Sequence, residues 1–348
     1  MRRCNFSSPA VPHFTDALRP LLSLAILTGL AGCAGRQSAL APAGRGAEEI
    51  AHLFWWMTVG AFVVWAGVVA LTIYAIRTRP VARQSDRAAM LIIGGGAVVP
   101  TVVLACLLIY GLSMLPRLLL RAPEGSLKIV VVGEQWWWRI RYHPADGEPF
   151  NVANEIRLPV GEPVQFELES PDVIHSFWIP SLGGKMDMIP GRRTRLTLEP
   201  TRTGVFRGAC AEYCGTSHAL MAFDVVVMEK PDFAHWLAAQ RAPAAEPAAS
   251  TASRDPSAAL GRERFFANGC AACHTIRGTD ARGVVGPDLT HVGSRRTLGA
   301  GTLPNDPDGF IRWIEQTNRV KPGVLMPHFG MLPRDELRAL SDYLESLQ

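Results

Sequence analysis

No cysteine is left over for a structural disulfide. The seven in this 348-residue chain each have a local context: Cys4 and Cys33 in an N-terminal leader, Cys106 in a long apolar run, Cys210 and Cys214 in one short loop, Cys270 and Cys273 in another. That distribution excludes a small secreted fold framed by disulfides. Charge is thin as well. Only 19% of residues are Asp, Glu, Lys or Arg, the net charge is +4, and the arginines are scattered, so a nucleic-acid partner is not expected. Apolar residues are abundant, at 48% of a chain longer than one typical domain, which points to a membrane-anchored protein.

The first 32 residues read as a secretory signal: MRR, then the apolar LLSLAILTGLAGC. The ending LAGC is similar to a bacterial lipoprotein cleavage box, making Cys33 the expected lipidated N-terminus; an ordinary signal peptide or an uncleaved anchor is the alternative. Residues 45–120 are expected to form a transmembrane helix hairpin. Its charge-free runs, Ile50 to Ile76 and Ala88 to Leu115, each exceed the roughly 20 residues a bilayer-crossing helix needs. Arg77, Arg79, Arg83 and Arg87 place the short connection on the cytoplasmic side and both helix ends outside. Gly94, Gly95 and Gly96 permit close helix approach, and Pro100 is the expected kink.

From 125 to 230 the pattern changes to short β-rich runs such as LKIVVV, PVQFELE, RTRLTLE and AFDVVVM, parted by Gly, Pro and Asp. That pattern predicts a sandwich or Greek-key barrel. A short amphipathic piece, PDFAHWLAAQ, precedes a linker rich in Ala, Pro and Ser over 241–256. Residues 257–348 read as a small all-α domain, with helices in SAALGRERFFANG, in DPDGFIRWIEQT after an Asp start, and in PRDELRALSDYLESL.

Two stretches carry chemistry. CAEYCGTSHALM packs Cys210, Glu212, Cys214, His218 and Met221 together, with His175 upstream in SPDVIHSFWIP. Thiolate and thioether sulfur favour copper(I) or zinc and imidazole suits copper, whereas zinc has little use for methionine. Two cysteines four apart can bridge one pair of metals, so a binuclear copper-dithiolate centre is favoured over zinc or a disulfide. CAACH is the attachment signature for c-type haem: Cys270 and Cys273 form thioethers and His274 is one axial ligand. Met326 in GVLMPHFGMLP is the favoured sixth ligand, with Met331, His291 and His328 as competitors. Gly261, Phe265 and Tyr343 are expected to pack the first and last helices of this domain together.

The segments HSFWIPSLGGKMDMIPGR (175 to 192), GACAEYCGTSHALM (208 to 221) and EQWWWRIRY (134 to 142) resemble subunit II of haem-copper cytochrome c oxidases. The appended CAACH domain resembles the caa-type members, which carry a C-terminal cytochrome c. The resemblance implies a cupredoxin fold for the β domain and a class I cytochrome c for the α domain. It implies that Cys210 and Cys214 bridge two coppers completed by His175, His218, Met221 and the backbone carbonyl of Glu212. It also implies a magnesium ion reached by the Glu212 carboxylate at the interface with subunit I, an electron-entry role for Trp136, and a carbonyl at Pro287 that orients His274. Electrons would pass from cytochrome c or another upstream donor to haem c, to the paired coppers, and on to subunit I, where oxygen becomes water; subunit III is a further expected partner. The expected location is the bacterial plasma membrane, with both redox domains on the outer face. A donor subunit for a nitric-oxide-reducing partner and a non-enzymatic copper lipoprotein of the envelope are the alternatives. Many subunits II have a glutamate at the start of the second span; AAMLIIGGG has none, and Asp86 is the one nearby substitute.

Overall fold

The computed structural model describes residues 34–78, 89–244 and 256–348. Cys33, the signal segment, the arginines at 79, 83 and 87 and Asp86 lie outside the described residues, as does most of the linker.

Two helices are long and apolar enough to cross a membrane: α1, Arg45–Arg77, and α2, Leu91–Leu118. At about 1.5 Å per residue, the 33 residues of α1 exceed a bilayer's hydrocarbon core of about 30 Å. The excess is used at the N-terminus. Ala43, Ala47 and Ala51 are buried, the Ala47 amide donates to the Leu182 carbonyl at 3.3 Å, and the Arg45 amide to Glu199 at 3.0 Å. A Cβ on Gly44 would sit 2.5 Å from the Leu182 carbonyl oxygen, so only glycine lets the helix start against the β domain. In α2 the irregularity stands just ahead of the proline: Leu91–Val98, around the three glycines, is π-helical and runs directly into the regular helix Val99–Leu118, where Pro100 has no N–H to donate back into the preceding turn.

The β domain is two five-stranded sheets, ordered β3-β2-β1-β5-β8 and β4-β10-β9-β6-β7. The strands are β1 Lys128–Glu134, β2 Trp137–His143, β3 Phe150–Ala153, β4 Glu155–Pro159, β5 Val164–Glu169, β6 His175–Trp178, β7 Met186–Met188, β8 Thr194–Leu198, β9 Gly204–Cys210 and β10 Ala222–Met228. Period-two burial drives the assembly: Ile129 and Val131 in β1 and Trp138, Ile140 and Tyr142 in β2 point inward, with intervening residues toward solvent. Pairs β1/β5 and β4/β10 are parallel and the remaining pairs antiparallel, the mixed pairing that crossovers between sheets require. Trp138, Phe177 and Phe223 interlock at the centre, with centroids 5.0 to 5.8 Å apart. Cys210, Cys214 and Met221 belong to the same buried cluster, so the loop's sulfur atoms are anchored in the barrel core.

Helix α3, Lys230–Arg241, closes the β domain. The α domain follows: α4 Pro256–Ala267, α5 Pro307–Val320 and α6 Arg334–Ser346. The Asp306 carboxylate caps α5 by accepting from the Gly309 amide at 2.7 Å, the predicted start. The expected contact of first and last helices is present. Phe265 meets Tyr343 edge-on at 5.8 Å, and a Cβ on Gly261 would fall 1.8 Å from the Ala339 carbonyl oxygen.

Candidate metal centres

His175 opens β6, Cys210 ends β9, and Cys214, His218 and Met221 come from the loop that leads into β10. The loop cannot splay, because the Cys210 amide donates to the Met221 carbonyl at 2.9 Å and ties its two ends together. The sulfurs of Cys210 and Cys214 stand 3.8 Å apart. His175 Nδ1 is 3.8 Å from Cys210 Sγ, His218 Nδ1 is 3.5 Å from Cys214 Sγ, Met221 Sδ is 3.8 Å from Cys214 Sγ, and the Glu212 carbonyl is 3.1 Å from Cys210 Sγ. The four other expected donors therefore converge on this sulfur pair. A central pair of sulfurs with one imidazole against each is a donor set suited to two soft metals, so the residues fit paired copper.

The surroundings prepare these donors. The Cys214 thiol and the His175 imidazole hold the Cys210 thiol far down, at about 3, and Cys214 is pushed up by donating to it. One thiolate is thus ready and a bound metal displaces the second proton. Asp172 accepts from Gln135 and Val173 amides at 2.7 and 2.6 Å and meets His175 Nε2 at 2.9 Å. Those bonds outweigh burial and hold its carboxyl below the ordinary value, fixing the ring so that Nδ1 faces sulfur. Gly133 lies beneath the same imidazole, where a Cβ would come within 3.1 Å of the ring. The Glu212 carboxylate points outward, 3.9 Å from the Lys185 ammonium. Sequence reading missed Asp172, although its place three residues before His175 is a usable signal.

In the α domain, Cys270 and Cys273 flank a single 3-10 turn entered through Gly269 at φ +74. His274 Nδ1 is 2.9 Å from the Pro287 carbonyl, which leaves Nε2 for an axial bond. Gly286 closes the other side, where a Cβ would touch the imidazole at 2.6 Å. Two adjacent thiols beside a histidine oriented in this way fit a covalent haem c. Met326 is half-buried and packs against the same hydrophobic core as Cys270 and Ala271. Its competitors are placed less well: both nitrogens of His291 face carbonyls, of Gln348 at 2.7 Å and Ala242 at 3.1 Å, while Met331 and His328 are exposed.

The two domains meet at Trp136, which lies in the turn between β1 and β2 rather than in a strand and is 7% exposed. Its indole N–H donates to the Cys214 carbonyl at 3.0 Å. Gly323 of the α domain lies flat against the ring, where a Cβ would be 2.9 Å away, and Val324 packs half-buried against the barrel core. Trp137 instead stacks under Arg139 at 4.7 Å, and Trp138 is buried. Around this contact Arg139 donates to the Val284 carbonyl at 3.0 Å, Ser217 to Pro322 at 2.6 Å, the Ala222 amide to Ala300 at 3.1 Å and Thr297 to Asp224 at 2.7 Å.

The architecture defines a class: a cupredoxin-like domain with a binuclear soft-metal donor set, carried on two candidate membrane helices and joined to a cytochrome domain. Residues 144–229 match the family model for the cytochrome c oxidase subunit II periplasmic domain, and residues 258–348 match that for cytochrome c. The chain therefore combines a cytochrome c oxidase subunit II periplasmic domain with a cytochrome c domain, and its cofactors are copper and haem c. Cytochrome c oxidase subunit 2 of Alkalihalophilus pseudofirmus is 37% identical over 65% of this chain and 62% of its own length. That of Bacillus sp. (strain PS3) is 34% identical over 65% and 63%. The chain thus spans less than two thirds of the length of these curated relatives. The crystal structure of the periplasmic domain of subunit II of cytochrome oxidase from Bradyrhizobium japonicum is 32% identical, covering 34% of this chain and 96% of that one, with a TM-score of 0.32.

Proposed function

We propose that this chain is the electron-delivering subunit of a membrane-bound haem-copper oxidase, accepting electrons from an upstream cytochrome and passing them to a catalytic subunit I that reduces oxygen to water. His175, Cys210, the Glu212 carbonyl, Cys214, His218 and Met221 would hold two coppers, and Cys270, Cys273, His274 and Met326 one haem c. When bound, these groups supply one-electron redox chemistry. The protein's part is to keep their ligands still. Strand-borne ligands cross-tied by the Cys210–Met221 bond, with His175 held by Asp172, change little in position with charge, which keeps reorganisation small.

The convergence of four further donors on one sulfur pair, directly under the tryptophan that touches the cytochrome domain, carries this reading. The exposed Glu212 carboxylate supports the magnesium reading, and subunit III and lipidation at Cys33 are further proposals from the resemblance. Metal analysis of the purified membrane complex tests the whole. Two coppers and one haem c in this chain, in addition to the metal groups of the catalytic subunit, a near-infrared copper band lost in Cys214→Ser, and oxygen uptake with a co-purifying polytopic subunit are expected. Haem loading without copper after reconstitution would reduce the chain to a membrane-bound cytochrome.

A further inference from the structure

Lys321 is 1% exposed, in a residue class that is almost never fully buried unless paired. Its ammonium donates to three backbone carbonyls: Trp136 at 2.6 Å, Leu220 at 2.9 Å and Gly299 at 2.9 Å. An ammonium has three protons, and all three are used. The acceptors come from the β1–β2 turn, the metal loop one residue before Met221, and the α domain itself. A desolvated cation spending two of its three donors across a domain boundary is costly unless the boundary depends on it.

The segment that carries it does nothing but dock. Pro322 accepts from Ser217, Gly323 covers the Trp136 ring, Val324 packs half-buried against the barrel core, and Met326 follows two residues later. We propose that Lys321 is a positioning residue for electron transfer between the two domains, pinning the 321–324 segment onto Trp136 and the metal loop. The pin fixes the separation between the loop bearing Met326 and the indole hydrogen-bonded to Cys214. Electron transfer falls steeply with separation, so loosening the pin slows transfer without removing either metal group. This inference rests on the function proposed above.

The test uses the full-length chain in membranes or detergent. In Lys321→Met the copper and haem bands are retained, haem-to-copper equilibration after photoinjection of an electron slows at least about tenfold, and amide exchange rises together in residues 134–138, 216–222 and 297–300. In Lys321→Ala, ethylammonium restores part of the rate, whereas sodium at equal ionic strength does not. An unchanged rate and unchanged exchange in Lys321→Met would overturn the proposal. If that variant fails to fold, amine-reactive footprinting of the wild type decides: Lys321 labels at least about tenfold more slowly than Lys185 and Lys230, and equal labelling sinks the pin. Absent copper or haem bands in the wild type would count against the proposed function, while exchange and footprinting would still judge Lys321.

Discussion

At the scale of single residues, the groups that touch no metal decide how well the ligands hold. Asp172 is the clearest, since one carboxylate serves two backbone amides and the His175 ring. Asp172→Asn is expected to retain the fold but weaken copper retention by about 10- to 100-fold, the usual effect of removing an outer partner of a ligating histidine, measured by competition with a chelator. On the haem side the sensitive position is Gly286. Gly286→Ala would drive a methyl into the His274 ring, so this variant should mature poorly, with a reduced fraction of covalently attached haem by mass spectrometry. The proposed Cys, His and Met ligands were legible because each side chain advertises its chemistry, while the Glu212 carbonyl came only from the resemblance; their supports were not legible, since Asp and Gly have many other uses.

At the scale of elements, the close packing of α4 on α6 depends on a missing side chain. Gly261→Ala places a carbon 1.8 Å from the Ala339 carbonyl oxygen, and overpacking of this kind costs about 1–3 kcal/mol. Its expected signature is a lower melting temperature for the haem domain with the barrel's transition unchanged, resolved by following the haem band and tryptophan fluorescence separately. The β-rich runs made part of the barrel readable: β1, β5, β8 and β10, four of its ten strands, fall on the runs identified from the sequence. The membrane helices were readable in extent, and the irregularity of α2 falls on the glycine run just before Pro100; its π-helical form over Leu91–Val98 is what hydropathy does not encode. Trp136 stands in the turn where the chain reverses between β1 and β2, while its neighbours Trp137 and Trp138 lie in β2.

At the scale of the whole molecule, the cytochrome domain is docked and not merely tethered. Hydrogen bonds from Arg139, Ser217, Ala222, Thr297 and Lys321 cross the boundary independently of the linker. Cutting the chain at a protease site inserted near residue 250 should therefore leave the haem domain with the membrane fraction at low salt. Release on cutting, seen by sedimentation, would show that attachment depends on the linker alone. Nothing in the sequence announced this interface. Its central contact is a lysine, a residue whose default is solvent, and burial across domains is decided by tertiary placement.

The near-complete burial of Trp136 has a kinetic consequence. A diffusing redox carrier has no lateral access to the barrel's indole, so it must dock on the cytochrome's own outer rim. Turnover with soluble donors would then saturate according to that rim's charge, and altering the barrel surface would leave the Michaelis constant where it was.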